Sequence, residues 1–249
     1  MKKTMNTTLL ALAITVVASP VFADGHGTHW GYTGAESAEN WGKLSPEFGL
    51  CGTGKNQSPI DITGTLDAKT PAIHFQYQAN GGEVINNGHT IQVNFAAGSD
   101  MVMNGTTYHL KQFHFHAPSE NHIDGQSYPM EAHLVHADDK GNLAVIGVMF
   151  NIGEENKTIA NIWAKMPEKA DGKNALESAV SAMNLLPKNH GYYRFNGSLT
   201  TPPCSEGVTW MVMKRPMTVS QAQIDQFSKV MGVANNRPVQ PINARSVLK

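Results

Sequence analysis

"QFHFHAPSENH" (Gln112–His122) is the stretch from which the fold is read. Successive side chains of a β-strand point to opposite faces, so Phe113 and Phe115 share one face and His114 and His116 the other. The phenylalanine face reads as core. On the other face, two adjacent imidazoles repel each other if protonated and demand polar partners if buried. One shared metal ion satisfies both. A third histidine follows in "EAHLVH" (Glu131–His136), where period two puts Glu131, His133 and Val135 on one face and Leu134 and His136 on the other. The connection "NHIDGQSYP" (Asn121–Pro129) lets this strand fold back beside the first. Three imidazoles then converge, a donor set suited to a catalytic zinc with an open fourth position. Each ligand also needs an acceptor on its second ring nitrogen. Gln112 and Glu131, two residues before His114 and His133, are placed to supply one.

Outward from this stretch the same alternation recurs. Residues 72–78, 90–95, 107–116, 131–136, 142–150 and 207–213 read as strands. Gly81-Gly82, Asn87-Gly88, Asn104-Gly105, Asp124-Gly125, Lys140-Gly141 and Asn196-Gly197 read as turns between strands. Helical spacing is confined to the second half. It covers 156–166, less regularly 175–186, and 220–232, where Ser220 and Gln223 make a capping box. In that last segment Ile224, Phe227 and Met231 line one face and Gly232 stops the helix. The expected fold is a single, mainly β domain: a large twisted, mostly antiparallel sheet with peripheral helices.

A net charge of −1 with no basic cluster argues against nucleic acid as a partner. The first 23 residues carry two lysines, an apolar run from Leu9 to Val17, Pro20 and then Val21-Phe22-Ala23. They read as a cleaved secretory signal, leaving 24–249 as one exported domain, with the periplasm as its destination. The run is too short to span a bilayer and no cysteine follows closely for lipid attachment, so no membrane anchor is expected. His26 and His29 read as part of a flexible polar arm rather than a metal site. Of 249 residues only two are cysteine, Cys51 and Cys204. In an exported chain such a pair points to one disulfide, two buried free thiols being the alternative.

"HWGY" (His29–Tyr32), "NQSPIDI" (Asn56–Ile62), "INNGHTIQV" (Ile85–Val93), "QFHFHAPSEN", "EAHLVH", "LAVIGVMF" (Leu143–Phe150), "GSLTTPPC" (Gly197–Cys204), "VTW" (Val208–Trp210) and "NRPVQP" (Asn236–Pro241) follow one another along the chain. In that order they resemble the α-class carbonic anhydrase family over nearly the whole mature region. The resemblance implies that His114, His116 and His133 hold Zn2+ and that the enzyme reversibly hydrates CO2 to bicarbonate and a proton. Carbonic anhydrase is itself the standard case of zinc lowering the pKa of water to about 7. It further implies that Thr200 is a gatekeeper, accepting a hydrogen bond from the nucleophile and donating one to an ionised Glu120.

Val135, Val145, Leu199, Val208 and Trp210 resemble the apolar wall that receives CO2, with Thr200 and Thr201 beside it. Tyr32, Asn87 and Gln92 resemble residues that order water in the cavity, and His89 resembles the proton shuttle. Release of a proton directly to water from a group of pKa about 7 is capped near 10³ per second, so faster turnover needs such a relay. Bacterial members resemble this chain in pairing two cysteines, which implies a Cys51–Cys204 disulfide. Ester hydrolysis is compatible as a side activity, and a homodimer stays open. Three positions depart from the better-known animal pattern: Ala117 stands where tryptophan is common, Asn121 where histidine is common, and Thr90 is bulkier than usual. A non-catalytic module of the same fold typically lacks one or more ligands, and a zinc-storage protein needs a flexible His-rich segment. The sequence shows neither.

Overall fold

A computed structural model describes residues 28–249; the expected signal segment 1–23 and His26 lie outside the described residues. Thirteen strands are described, beginning with β1 (Asp61–Ile62), β2 (His74–Gln76), β3 (Gly81–Asn86), β4 (Ile91–Phe95), β5 (Asp100–Met103), β6 (Thr106–His116) and β7 (His122–Ile123). The rest are β8 (Met130–Ala137), β9 (Leu143–Ile152), β10 (Lys173–Val180), β11 (Tyr192–Ser198), β12 (Glu206–Met213) and β13 (Met217–Val219). Four α-helices accompany them: α1 (Trp41–Leu44), α2 (Leu50–Thr53), α3 (Lys157–Trp163) and α4 (Gln221–Met231). None of the described helices is long and apolar enough to cross a membrane.

Eleven strands form one sheet in the order β10-β3-β4-β6-β8-β9-β12-β11, with β13 on β9 and β2-β5 attached to β6. Its pairings are antiparallel except β12 and β13 against β9, which are parallel. The sheet is thus mixed, though mostly antiparallel as expected. Alternation sorts its residues into two layers. Phe113, Phe115, Leu134, Ile146 and Met211 pack on one face with Ile159, Trp163, Ile224 and Phe227 of α3 and α4. Val145, Val208, Trp210 and Val212 build a smaller cluster on the other. That second face carries the histidines. Antiparallel β6 and β8 place His114 opposite His133 and His116 opposite Glu131.

The structure corrects several local expectations. Gly81-Gly82 is not a turn but the start of β3, where a side chain on Gly81 would meet the Phe95 ring. Asn196-Gly197 likewise lies inside β11, with Gly197 packed against Ser58 and Trp210. Residues 175–186 are not a helix. They form the end of β10 and one 3-10 turn, Ala182–Leu185, capped by Ser181. Pairing of Lys173, Asn174 and Ala175 with β3 overrides the helix preference of Ala, Leu and Glu there. α3 stops at Trp163, short of Met166, and Pro167 follows. α4 forms as expected, its capping box complete and Gly232 left-handed at the C-cap.

Candidate active site

His114, His116 and His133 each present one ring nitrogen, all three within 4.8 Å of one another. Their ring centroids lie 4.6–5.3 Å apart. Two of the other nitrogens are hydrogen-bonded, and the third faces a carboxylate. His114 Nδ1 donates to Gln112 Oε1 at 2.8 Å, and His116 Nδ1 donates to the Asn235 carbonyl at 2.7 Å. His133 Nε2 lies 3.0 Å from Glu131 Oε1, within ion-pair distance but outside good hydrogen-bond geometry. Burial drives the pKa of His114 and His133 well below the usual histidine value and lowers that of His116; the neighbouring imidazoles push His114 and His133 further down. Neutral imidazoles with free lone pairs are what a metal ion requires.

The chemistry of this donor set fits a cation. His116 Nε2 is buried without a hydrogen-bond partner, as is Glu120 Oε2, 3.5 Å away. Orphaned buried polar atoms are costly, and a cation between the rings removes that cost. Glu120 Oε1 accepts from the Arg237 backbone N–H at 2.8 Å. Burial pushes its pKa up to about 8, while the Arg237 backbone bond and the nearby Thr200 hydroxyl pull it down.

Glu131 is held as tightly as a ligand. Its Oε2 accepts from the backbone N–H groups of Glu120 and Asn121, both at 2.9 Å, and its Oε1 from Asn121 Nδ2 at 2.8 Å. Asn121 thereby has a use: it locks Glu131, and its own Oδ1 accepts from Ile60 N at 3.1 Å. Gly147 faces His133 in the register, and a Cβ there would come within 2.8 Å of Glu131 Oε1.

Thr200 is buried, on the loop closed by Leu199 N donating to Ser205 O and Cys204 N donating to Thr201 O. Cys204 is disulfide-bonded to Cys51, so the open alternative of free thiols is excluded. Val145, Val208 and Trp210 are buried and Val135 and Leu199 half-buried in one apolar cluster, and the Trp210 ring lies 4.8 Å from that of His133. Thr201 is half-buried beside them in sequence.

His89 is half-buried on the turn between β3 and β4, its ring stacked on Trp30 with centroids 3.7 Å apart and planes 7° apart. Burial, then the charge of His29, lowers its pKa. His29 Nδ1 itself lies 3.0 Å from Glu36 Oε2 at an exposed position. Asn87 is exposed, and its Oδ1 accepts from His89 N and Thr90 N, which makes it a support of the turn. Gln92 pairs across the ladder with His114 and donates to Asn94 Oδ1 at 2.7 Å. The Tyr32 hydroxyl is buried without a partner, its pKa raised by burial and then by Glu120.

Sequence reasoning missed Trp30, Thr90, Gly147, Asn235 and Arg237 as contributors. Trp30, Thr90, Gly147 and Arg237 lie in quoted motifs, and Thr90 stood out there as bulkier than usual, but no periodicity marks their contacts. Arg237 is buried, with Nη1 donating to Gln57 Oε1 and Ser58 O and Nη2 to Cys51 O.

Residues 36–249 match the family model described as eukaryotic-type carbonic anhydrase. A carbonic anhydrase of Neisseria gonorrhoeae is 52% identical over 244 residues, covering 98% of this chain and 96% of the relative. The solved α-carbonic anhydrase of Thermovibrio ammonificans, in complex with sulfanilamide, superposes with a TM-score of 0.88 at 49% identity, covering 90% of this chain and 100% of that one. A dioscorin complexed with ascorbate shares the fold at a TM-score of 0.83 and 31% identity, over 88% and 97% of the two chains. The fold thus appears under more than one name, and the site has to decide between them.

Proposed function

The chain belongs to the eukaryotic-type carbonic anhydrase family, and from that premise we propose that it hydrates CO2 reversibly at a zinc ion held by His114, His116 and His133. One observation carries the reading: the three rings converge with one nitrogen each within 4.8 Å of the others, their second nitrogens are turned to Gln112, Asn235 and Glu131, and His116 Nε2 among the converging nitrogens is buried without a hydrogen-bond partner. When bound, zinc supplies the Lewis acidity that acidifies water to a pKa of about 7, for which carbonic anhydrase is the standard example.

The chain's own residues then do the following. Val135, Val145, Leu199, Val208 and Trp210 receive a substrate that has neither charge nor a hydrogen to donate, and keep bulk water from its carbon. Thr200 Oγ1 donates its hydrogen to the Glu120 carboxylate, which turns its lone pair to accept from the nucleophile and aims the nucleophile at that carbon. This direction requires an ionised Glu120. A dication beside the carboxylate favours that form against the burial that raises its pKa. His89 takes the released proton from the cavity to bulk solvent. Glu131 and Gln112 fix the tautomers of His133 and His114. The same nucleophile supports hydrolysis of activated esters as a side reaction. The N-terminal segment and the Cys51–Cys204 disulfide support export to the periplasm.

Stopped-flow CO2 hydration by purified protein, with and without a zinc chelator, tests the reading together with metal analysis. Close to one zinc per chain is expected, and His133→Ala should lose most of the metal and essentially all activity. Full zinc and activity in that variant would overturn the three-histidine assignment. Glu131→Gln should be milder, lowering metal affinity about 10–100-fold.

A further inference from the structure

We propose that Thr90 and Asn235 form a bridge that sets the His89 turn relative to the metal-ligand strand, and that both act as positioning residues for proton transfer. The β4–β6 ladder pairs Asn94 with Gln112, Val93 with Phe113 and Gln92 with His114, and ends there. Beyond that point side chains take over the backbone groups of β6. Phe115 N donates to Thr90 Oγ1 at 3.2 Å, and Phe115 O accepts from both the Thr90 hydroxyl and Asn235 Nδ2. The second Nδ2 hydrogen goes to His89 O at 3.1 Å, and Asn235 Oδ1 accepts from Ala117 N at 2.9 Å. Every polar atom of that carboxamide is used, and Asn235 is 0% exposed.

The bridge therefore ends one residue from function on each side. Thr90 follows His89; Phe115 precedes His116 and Ala117 follows it. Where the ladder ends, β4 leaves β6 and carries its turn away, and without a second fastening that turn could move relative to the ligands. Buried, fully satisfied polar networks resist such movement. This also accounts for the larger Thr90: its hydroxyl stands in for the missing ladder bond. Displacements of about 1 Å cost oriented reactions as much as 10²-fold, so a fastening here bears on rate.

The inference rests on His89 as shuttle, and its test separates the two. In zinc-loaded protein, Thr90→Val removes the hydroxyl at nearly constant shape, Thr90→Ser restores it, and Asn235→Ala removes the other arm. Both disruptive variants should lower the maximal hydration rate in weak buffer roughly three- to tenfold more than the second-order rate at low CO2. Concentrated imidazole should close that gap, Thr90→Ser should match wild type, and the NMR resonances of the His89 ring should shift in the disruptive variants alone. If the two rates fall together and the His89 resonances stay in place, the bridge is merely structural and the proposal fails, even where His89→Ala shows its own imidazole-reversible loss. If His89→Ala leaves the maximal rate intact, the shuttle reading fails instead. The ring resonances then decide the bridge alone: a shift upholds it as a fastening of the turn, and unchanged resonances overturn it.

Discussion

Single side chains do chemistry here because burial removes the water that would otherwise satisfy them. Thr200 is 5% exposed and stands beside a carboxylate with one free oxygen. Thr200→Ala should keep its zinc and lose turnover by roughly 10²-fold, the order expected for one oriented catalytic hydrogen bond; an undiminished rate would refute the gatekeeper role. His136 shows burial with a structural outcome. It projects from the opposite face of β8 to His133, donates from Nδ1 to Ala144 O at 3.2 Å and meets the Tyr77 hydroxyl through Nε2 at 2.6 Å. Burial pushes its pKa down to about 4 from an ordinary 6.5. Between those values the unfolded chain binds a proton that the folded chain refuses, so stability falls as pH drops through that window. The slope approaches about 1.4 kcal/mol per pH unit. In denaturant titrations the stability margin of wild type over His136→Phe should shrink between pH 6.5 and 4. A margin independent of pH would show that His136 is not held neutral.

Among the elements, register matters more than length. β6 and β8 pair so that His114 faces His133, and β9 adds Gly147 opposite His133 on its other side. Glu131 needs that gap, because a Cβ on Gly147 would also come within 3.2 Å of Val212. Gly147→Ala should cost about 1–3 kcal/mol through overpacking. It should also weaken zinc binding by displacing Glu131, which metal titration beside a thermal melt would measure. Wild-type affinity in a normally stable Gly147→Ala protein would mean that Val212 yields instead. The long strands and α4 were legible in the sequence, since alternation and the Ser220–Gln223 cap are local signals. β10 was not: its residues favour helix in isolation and become strand only because β3 offers an edge.

Over the whole molecule, closure depends on contacts between distant segments. The Cys51–Cys204 disulfide joins residues 153 apart, worth about 5 kcal/mol in the chain-entropy model. It ties the N-terminal segment to the Thr200 loop, and Arg237 reinforces the same junction through Cys51 O, Gln57 and Ser58. Reduction should lower the melting temperature by about 10–20 °C. Denatured, unreduced protein should show no titratable thiol. An unchanged melt after complete reduction would mean that the other contacts suffice.

The amino-acid sequence by itself determined what is local. Period two placed His114 and His116 on one face, His133 on a matching strand, and Gln112 and Glu131 two residues from their partners. The ordered motifs added Glu120, Thr200, His89 and the apolar wall as expectations. Only the tertiary structure decided which distant groups complete the site. The acceptor for His116 is the carbonyl of Asn235, 119 residues away, and any residue has a carbonyl, so no residue type could announce it. Trp30 against His89 and Gly147 beneath Glu131 are of the same kind. Their effect lies in a stacking distance and an absent side chain, which exist only once separate segments have packed together.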